Sequence, residues 1–323
     1  MIKFLTMADI HISDKNPISR IDDYTESIFN KLEQIRDVAT ANNVNFIICA
    51  GDIFNIKAPT KNSHYLVSRL INLFKSYPCP IYTIYGSHDL SQDNIQNLEK
   101  QPINTLLASG VCELIDNTYL SLDEGKKHYQ NPNPFFAGKF VKLFAVHYHN
   151  NPDYKDFDKE KTPIQICVAH VFASNTFKEF FGEKVFTYEE LSRQSPDIFI
   201  FGHYHPDQGI EVINKKHFIN VGAVSRGTMN KDNIERIPSI GYVEIGNDLS
   251  IKSEQIYLNV LSSKHIFNFE LKEKLEKEAV ESEMFIKELQ KNIITSDDNI
   301  ADKIKNLNFE KEIIDRALLY YER

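Results

Sequence analysis

Short apolar runs and stretches of helical spacing alternate along this chain, and the alternation sets its reading. Residues 2–8 form a first apolar run that predicts a strand. Asn45-Phe46-Ile47-Ile48-Cys49-Ala50, Ile81-Tyr82-Thr83-Ile84-Tyr85, residues 163–169 and residues 196–201 predict four more. Between them Ile21, Tyr24, Ile28, Leu32, Ile35 and Val38 recur at helical spacing, so a helix is expected over 21–41, closed by Asn42-Asn43. Pro59-Thr60 opens a second helix, with Tyr65, Leu66, Leu70, Leu73 and Phe74 on its buried face, and a third is expected over 93–109, ended by Gly110. Residues 111–145 read as short strands and loops, 149–162 as a polar loop, and 187–194 as a short helix. Antiparallel strands are expected over 208–213, 217–221, 239–246 and 249–258. Early strand–helix alternation followed by hairpins predicts a mixed α/β sandwich.

The last stretch is different in kind. Leu271, Leu275, Phe285, Leu289 and Ile293, then Ile300, Ile304, Ile313, Ala317 and Leu318 beyond the Thr295-Ser296-Asp297-Asp298 turn, predict a C-terminal helical hairpin. Its apolar stripe reads either as packing on its own domain or as a docking surface for another protein. The expected organisation is a principal domain over 1–245, a strand and linker over 246–261, and a helical region over 262–323.

Composition narrows the class. A chain of 323 residues with 42% apolar content can bury a sizeable core, and no apolar run is long enough to span a bilayer. The four cysteines, Cys49, Cys79, Cys112 and Cys167, are dispersed without a Cys-x-x-Cys pair. They read as reduced residues, and with no signal-peptide pattern ahead of the first strand the expectation is a cytoplasmic protein. The net charge of −8 argues against a protein that coats nucleic acid, but not against a nucleic-acid enzyme whose bound cations supply positive charge locally.

The strand ends carry the chemistry. The first predicted strand ends in Asp9-Ile10-His11, the second in Gly51-Asp52, the third in Gly86-Ser87-His88-Asp89, the fourth in His170 and the fifth in Gly202-His203-Tyr204-His205. In open α/β sheets, ligands bind outside the carboxyl ends of strands, so these groups can converge although they are far apart in sequence. Each has an ordinary explanation alone: Gly-Asp is commonly a turn, and a lone histidine is commonly just satisfied in the core. Ligand types at five separate strand ends are hard to obtain by chance. Carboxylates and imidazoles without thiolates suit manganese, iron or zinc. They are too many for one tetrahedral ion, and one aspartate can bridge two ions about 3.5–4 Å apart. Such a pair suits phosphoester hydrolysis.

In this order, Asp-x-His, Gly-Asp-x-Phe, Gly-x-His-Asp, a lone His and Gly-His-x-His resemble the calcineurin-like metallophosphoesterases. Ala8-Asp9-Ile10-His11, Gly51-Asp52-Ile53-Phe54 and Phe218-Ile219-Asn220-Val221-Gly222-Ala223 resemble, within them, the SbcD-type nuclease subunits of double-strand-break repair. The resemblance spans residues 1–245. It implies an α/β (α+β) four-layer β-sandwich flanked by helices. It also implies two divalent metal ions, manganese foremost, with iron, zinc or magnesium as alternatives. By that resemblance Asp9, His11 and His205 bind the first metal, Asp52 bridges, and Ser87, His170 and His203 bind the second. His88 acts at the scissile phosphate, with Asp89 as a candidate to orient it. The implied activity is 3′-to-5′ exonuclease and single-strand endonuclease on DNA. The implied partners are an SbcC-like SMC/ABC ATPase, docked on the helical tail, and a second copy of the chain, paired through apolar faces near 64–74 and 93–107.

Two departures stand out. The family has Asn where this chain has Ser87, a shorter and poorer oxygen ligand, which leads to an expectation of weaker second-metal occupancy. Asn55 stands where many nuclease members have His or Asp. His147 and His149 map to no family ligand, and His64 and His217 read as surface or structural. Arg20, Lys57, Lys61, Arg226 and Lys231 lie near the motifs and are candidates for phosphate contacts, although a solvated charge is the ordinary reading of each. The rival readings are a small-molecule phosphodiesterase or phosphoprotein phosphatase on the same fold, and a scaffold subunit with a site weakened at Ser87.

Overall fold

Local caps decide where the helices begin. Asp23 accepts the Glu26 amide and starts α1 (Tyr24–Asn42), which ends at Asn43 in the left-handed conformation. Ile21 therefore precedes the helix and is exposed, contrary to its place in the expected stripe. The second helix, α2 (His64–Lys75), does not open at Pro59. Ser63 caps it by accepting the Leu66 amide, Asp14 accepts the Ser63 amide and hydroxyl, and Pro59–Lys61 form a separate 3-10 turn. Tyr65 is 73% exposed, while Leu66, Leu70, Leu73 and Phe74 are buried. The third helix, α3 (Pro102–Ala108), begins at Pro102; residues 91–98, the start of the longer helix expected there, lie outside the described residues.

This computed structural model describes residues 1–90, 99–115, 118–121, 127–128, 140–148, 163–177, 179–180 and 182–274, with isolated helical positions beyond. The strands are β1 (Ile2–Met7), β2 (Phe46–Cys49), β3 (Ile81–Thr83) and β4 (Glu113–Leu114), followed by β5 (Thr118–Ser121), β6 (Lys127–His128), β7 (Phe140–Val146) and β8 (Ile164–His170). A ribbon of β9 (Glu179–Phe180) and β10 (Glu183–Lys184) precedes the short helix α4 (Tyr188–Leu191). Then come β11 (Ile198–Gly202), β12 (Gly209–Ile213), β13 (Lys216–Asn220), helix α5 (Lys231–Glu235), β14 (Ser239–Ile245), β15 (Ile251–Tyr257) and helix α6 (Ser263–Ile266).

Two sheets result. One has the order β15-β14-β1-β2-β3-β4, the other β12-β13-β11-β8-β7-β5-β6. β1, β2 and β3 run parallel, as do β7, β8, β11 and β13, so their carboxyl ends emerge together. Side-chain alternation splits the first sheet into two faces. Phe4, Phe46 and Ile48 meet Ile166, Val168 and Ile200 between the sheets, while Leu5, Ile47 and Cys49 pack outward with Ile28, Leu32, Ile35, Leu66 and Leu70 of α1 and α2. Cys167, Phe199, Phe201 and Phe218 face Tyr188 and Leu191 on the other outer face. The layering is the expected four-layer sandwich.

This first compact unit runs from Met1 to Ile266 and includes β15, which pairs with β14 from Ser239↔Tyr257 to Ile245↔Ile251. The stretch 246–261 thus carries an edge strand of the first sheet. The second unit is Phe267–Arg323. In it residues 269–274 are helical, and Asn268 accepts the Leu271 amide at their start. The expected turn at 295–298 lies outside the described residues.

Candidate metal centre

Four chemistry-bearing residues sit at positive φ: Asp9 at 54°, His11 at 46°, Asp52 at 54° and His203 at 86°. Non-glycine residues rarely adopt this region, and strain of this kind concentrates at functional sites. Each follows a strand end directly or nearly so, and the backbone is held from outside. The Asp9 amide donates to Gly51 O and the His11 amide to Asp52 O, while the His203 amide donates to both carboxylate oxygens of Asp9 at 3.1 Å. Glycines allow the close approach. A Cβ on Gly86 would lie 2.1 Å from Asp52 Oδ1, and one on Gly202 would lie 2.2 Å from Ala50 O.

The side chains converge. Asp52 is the hub: its Oδ2 lies 3.3 Å from His170 Nε2 and 3.7 Å from His11 Nε2, and accepts from Ser87 Oγ at 3.1 Å. Its Oδ1 accepts the His88 amide at 2.7 Å. His11 Nε2 and His205 Nε2 are 3.0 Å apart, and Asp9 Oδ1 is 4.0 Å from His11 Nε2. Three overlapping sets, Asp9/His11/His205, His11/Asp52/His88 and Asp9/Asp52/His170, each place their donor atoms within 4.8 Å of one another. His203 stands beside His170, with ring centroids 4.9 Å apart. All seven expected metal-site residues are therefore in one neighbourhood with His88.

Protonation states are set by burial and by neighbours. Burial alone would raise the Asp52 pKa, but His170, His11 and His88 outweigh it and hold the carboxyl far below the usual range. Burial works against a charge on His170, yet Asp52 and the bond to Ala50 O lift it to about 9. For Asp9, burial prevails and raises the pKa despite His205 and His170. Burial lowers His11, with partial opposition from Asp52, and burial together with His170 lowers His203 to about 3.

Backbone carbonyls fix two ring orientations. His170 Nδ1 donates to Ala50 O at 2.8 Å, and His88 Nδ1 donates to Asn55 O at 2.6 Å, leaving both Nε2 atoms for the centre. Such second contacts orient metal-binding and catalytic imidazoles. Asp89 does not take the expected place behind His88. Its buried Oδ2 accepts the Asp52 amide at 3.0 Å and the Gly86 amide at 2.9 Å, so it ties the loops after β2 and β3 together. Burial and the Asp52 charge push its carboxyl up to about 7. Asp89 is thus a positioning residue. His170 Nε2 and His203 Nε2 are buried without a hydrogen bond, and with the neighbouring carboxylates they form a donor set that fits divalent cations.

The remaining candidates separate cleanly. His147 Nδ1 accepts the Tyr85 amide, His217 Nδ1 pairs with Ser253 Oγ, and His64 is exposed; His149 lies outside the described residues. Arg20 and Arg226 are buried and spend hydrogen bonds on main-chain carbonyls, which removes them as phosphate contacts. Lys57 is half-buried, and Lys61 and Lys231 are exposed. Sequence reasoning missed Tyr148 and Phe172, whose rings flank His203 at 5.1 and 4.1 Å, and the Asn55 and Ala50 carbonyls. No spacing or residue type distinguishes an orienting carbonyl or a flanking ring in advance.

A two-sheet sandwich whose parallel strand ends gather carboxylates and imidazoles around one shared aspartate fits a metal-dependent hydrolase. The chain belongs to the calcineurin-like phosphoesterase family, which it matches over residues 2–207. It is similar to the DNA double-strand break repair protein Mre11 of Saccharolobus solfataricus, with 28% identity over 89 residues, covering 28% of this chain and 23% of that protein. It is also similar to the Mre11 of Methanococcus maripaludis, with 24% identity over 168 residues, 49% of this chain and 42% of the relative. The chain thus spans less than half the length of these relatives. Among solved structures, the calcineurin-like phosphoesterase YfkN from Bacillus subtilis aligns with a TM-score of 0.41 at 12% identity, over 81% of this chain and 92% of that one. No helix among the described residues is long and apolar enough to cross a membrane.

Proposed function

We propose that this chain is a two-metal DNA nuclease, with 3′-to-5′ exonuclease and single-strand endonuclease activity, that processes DNA ends with an SMC-like ABC ATPase. The observation that carries the reading is the convergence of Asp9, His11, His88, His170 and His205 on Asp52. The two Mre11 relatives support DNA as the substrate.

In this reading Asp9, His11 and His205 would hold one ion, Ser87, His170 and His203 the other, and Asp52 would be shared. Two divalent ions, manganese foremost, would supply positive charge at the phosphodiester and a water of lowered pKa. The chain's own residues do the rest. Ala50 O keeps the His170 proton on Nδ1, and Asn55 O does the same for His88. His88 Nε2, facing the centre, delivers a proton to the leaving oxygen. Asp89 keeps Asp52 and Gly86 in register. Residues 1–245 form the nuclease domain, 262–323 the ATPase-docking region, and the exposed Tyr65 on α2 belongs to the face that pairs with a second copy. A cytoplasmic setting belongs to the same reading, supported by four cysteines that form no disulfide.

The test is hydrolysis of labelled single- and double-stranded DNA with added manganese, for the protein and for His88→Ala. The expected outcome is cleavage that falls by about 10²–10⁴-fold in the variant while manganese binding persists. Hydrolysis of bis-p-nitrophenyl phosphate with no cleavage of either DNA, alone or with the ATPase, would replace the nuclease by a small-molecule phosphodiesterase.

A further inference from the structure

In the two-metal reading Ser87 gives the second ion a weak oxygen donor, and the structure brings a carboxylate close to His203. Glu183, on β10, places Oε2 3.7 Å from His203 Nε2. That nitrogen is buried and makes no hydrogen bond. The separation is too long for a hydrogen bond. It is ordinary for two donors on one ion, since bonds of roughly 2.0–2.2 Å leave such donors about 3–3.7 Å apart. The accepted pairs around Asp52 show the same range, 3.3 Å to His170 and 3.7 Å to His11.

The ribbon that carries Glu183 is anchored close to the site. Phe186 donates its amide to Phe172 O at 2.8 Å and Ser174 donates to Phe186 O at 3.0 Å, tying the segment after β10 to the segment after His170. Alternation along β10 sends the neighbouring Lys184 elsewhere, its Nζ lying over the Phe186 ring. Glu183 is half exposed, so its carboxylate can swing the remaining distance without rebuilding a core.

We propose that Glu183 is a ligand of the second divalent cation, replacing the oxygen donor that Ser87 supplies poorly. This rests on the two-metal reading of the site. An acid at this position would give the second ion Asp52, His170, His203 and Glu183, two carboxylates and two imidazoles, which suits manganese or iron.

The experiment is calorimetric titration of the metal-free protein with manganese, read alongside the electron paramagnetic signal of coupled Mn(II) pairs. The wild type is expected to bind two ions. Glu183→Gln should weaken one of the two sites by about tenfold or more, leave the other unchanged and reduce the coupled signal. Ser87→Asn should strengthen the same site and restore it in the Glu183→Gln background. Two-ion binding that is identical in wild type and Glu183→Gln would overturn the assignment of Glu183 while leaving the two-metal reading intact. A wild type that binds a single ion at saturating manganese would overturn both. Glu183 is half exposed, so the variant's melting temperature without metal should match the wild type.

Discussion

Gly202→Ala probes the junction on which the centre depends, because the carboxyl ends of the two sheets touch there. Gly202 ends β11 immediately before His203, and an added Cβ would lie 2.2 Å from Ala50 O and 2.9 Å from His170 Nδ1. Ala50 is the residue after β2, and its carbonyl holds His170. The closest atom is main chain, so no rotamer change relieves the clash. The strand ends must part by roughly 0.8 Å to reach even the shortest tolerated Cβ contact, an overpacking cost of about 1–3 kcal/mol. Loss of the His170–Ala50 hydrogen bond adds about 1 kcal/mol. For a unit of this size each kcal/mol lowers Tm by roughly 2–4 °C, so a fall of about 4–16 °C is expected. A displacement on this scale between catalytic groups also costs about 100-fold in rate. Gly110→Ala is the control. Gly110 has φ +73 but no neighbour within 4 Å of an added Cβ, so that variant should show only the backbone cost of about 1–2 kcal/mol and full activity. Differential scanning calorimetry and phosphodiester hydrolysis read both variants. A melting shift in Gly202→Ala below about 4 °C, with activity retained, would refute the steric argument, because Gly202 is not at positive φ and carries no left-handed backbone penalty to account for a shift.

Two further outcomes follow from the same structure. Burial pushes the Cys79 thiol up to about 12 and raises Cys49 and Cys112 as well, so the native protein at pH 8 should react with a disulfide reagent at well under one thiol in minutes and yield all four after unfolding; rapid modification of Cys79 would contradict the burial. A protein truncated after Ile266 should keep hydrolysis of bis-p-nitrophenyl phosphate within about threefold, because the first compact unit ends there, and should lose co-purification with the ATPase; retained co-purification would move the docking surface onto the first unit.

The strands and the centre were legible because each rests on local information. A continuous apolar run followed by a metal-capable residue is read directly, and β1, β2, β3, β8 and β11 all end within two residues of where that pattern says. Helix starts were less legible where two signals competed. Pro59 is a good first helical residue, but Asp14 and the Ser63 hydroxyl make a better cap four residues later, and Asp14 is close only once the chain has folded. Asp89 was misplaced for a related reason. Adjacency to His88 suggested a pair, whereas the loop turns the carboxylate onto the amides of Asp52 and Gly86.

The charged residues near the motifs teach the same point with larger consequence. Arg20, Lys31, Arg226 and Arg236 are all buried, an arrangement that repels itself and tolerates no unpaired donor. Lys31 donates to Val224 O at 2.9 Å, Arg20 to Arg226 O, and Arg236 to Ala223 O and to Ser225 O at 2.8 Å. The same loop turns its amides the other way: Ala223 donates to His205 O, Val224 to Ala8 O and Ser225 to Asp9 O. The cations thus hold the carbonyl side of a bracket whose amide side holds Asp9 and His205 at the centre. Asp22 and Asp232 supply partial countercharge through Arg20 and Arg236. Cations committed in this way are unavailable to substrate, and the chain as a whole carries a net charge of −8. In the proposed function, ions held at Asp52 and its neighbours would therefore supply part of the attraction for a polyanionic substrate, beside the accessible Lys57, Lys61 and Lys231, so substrate binding would depend in part on metal loading.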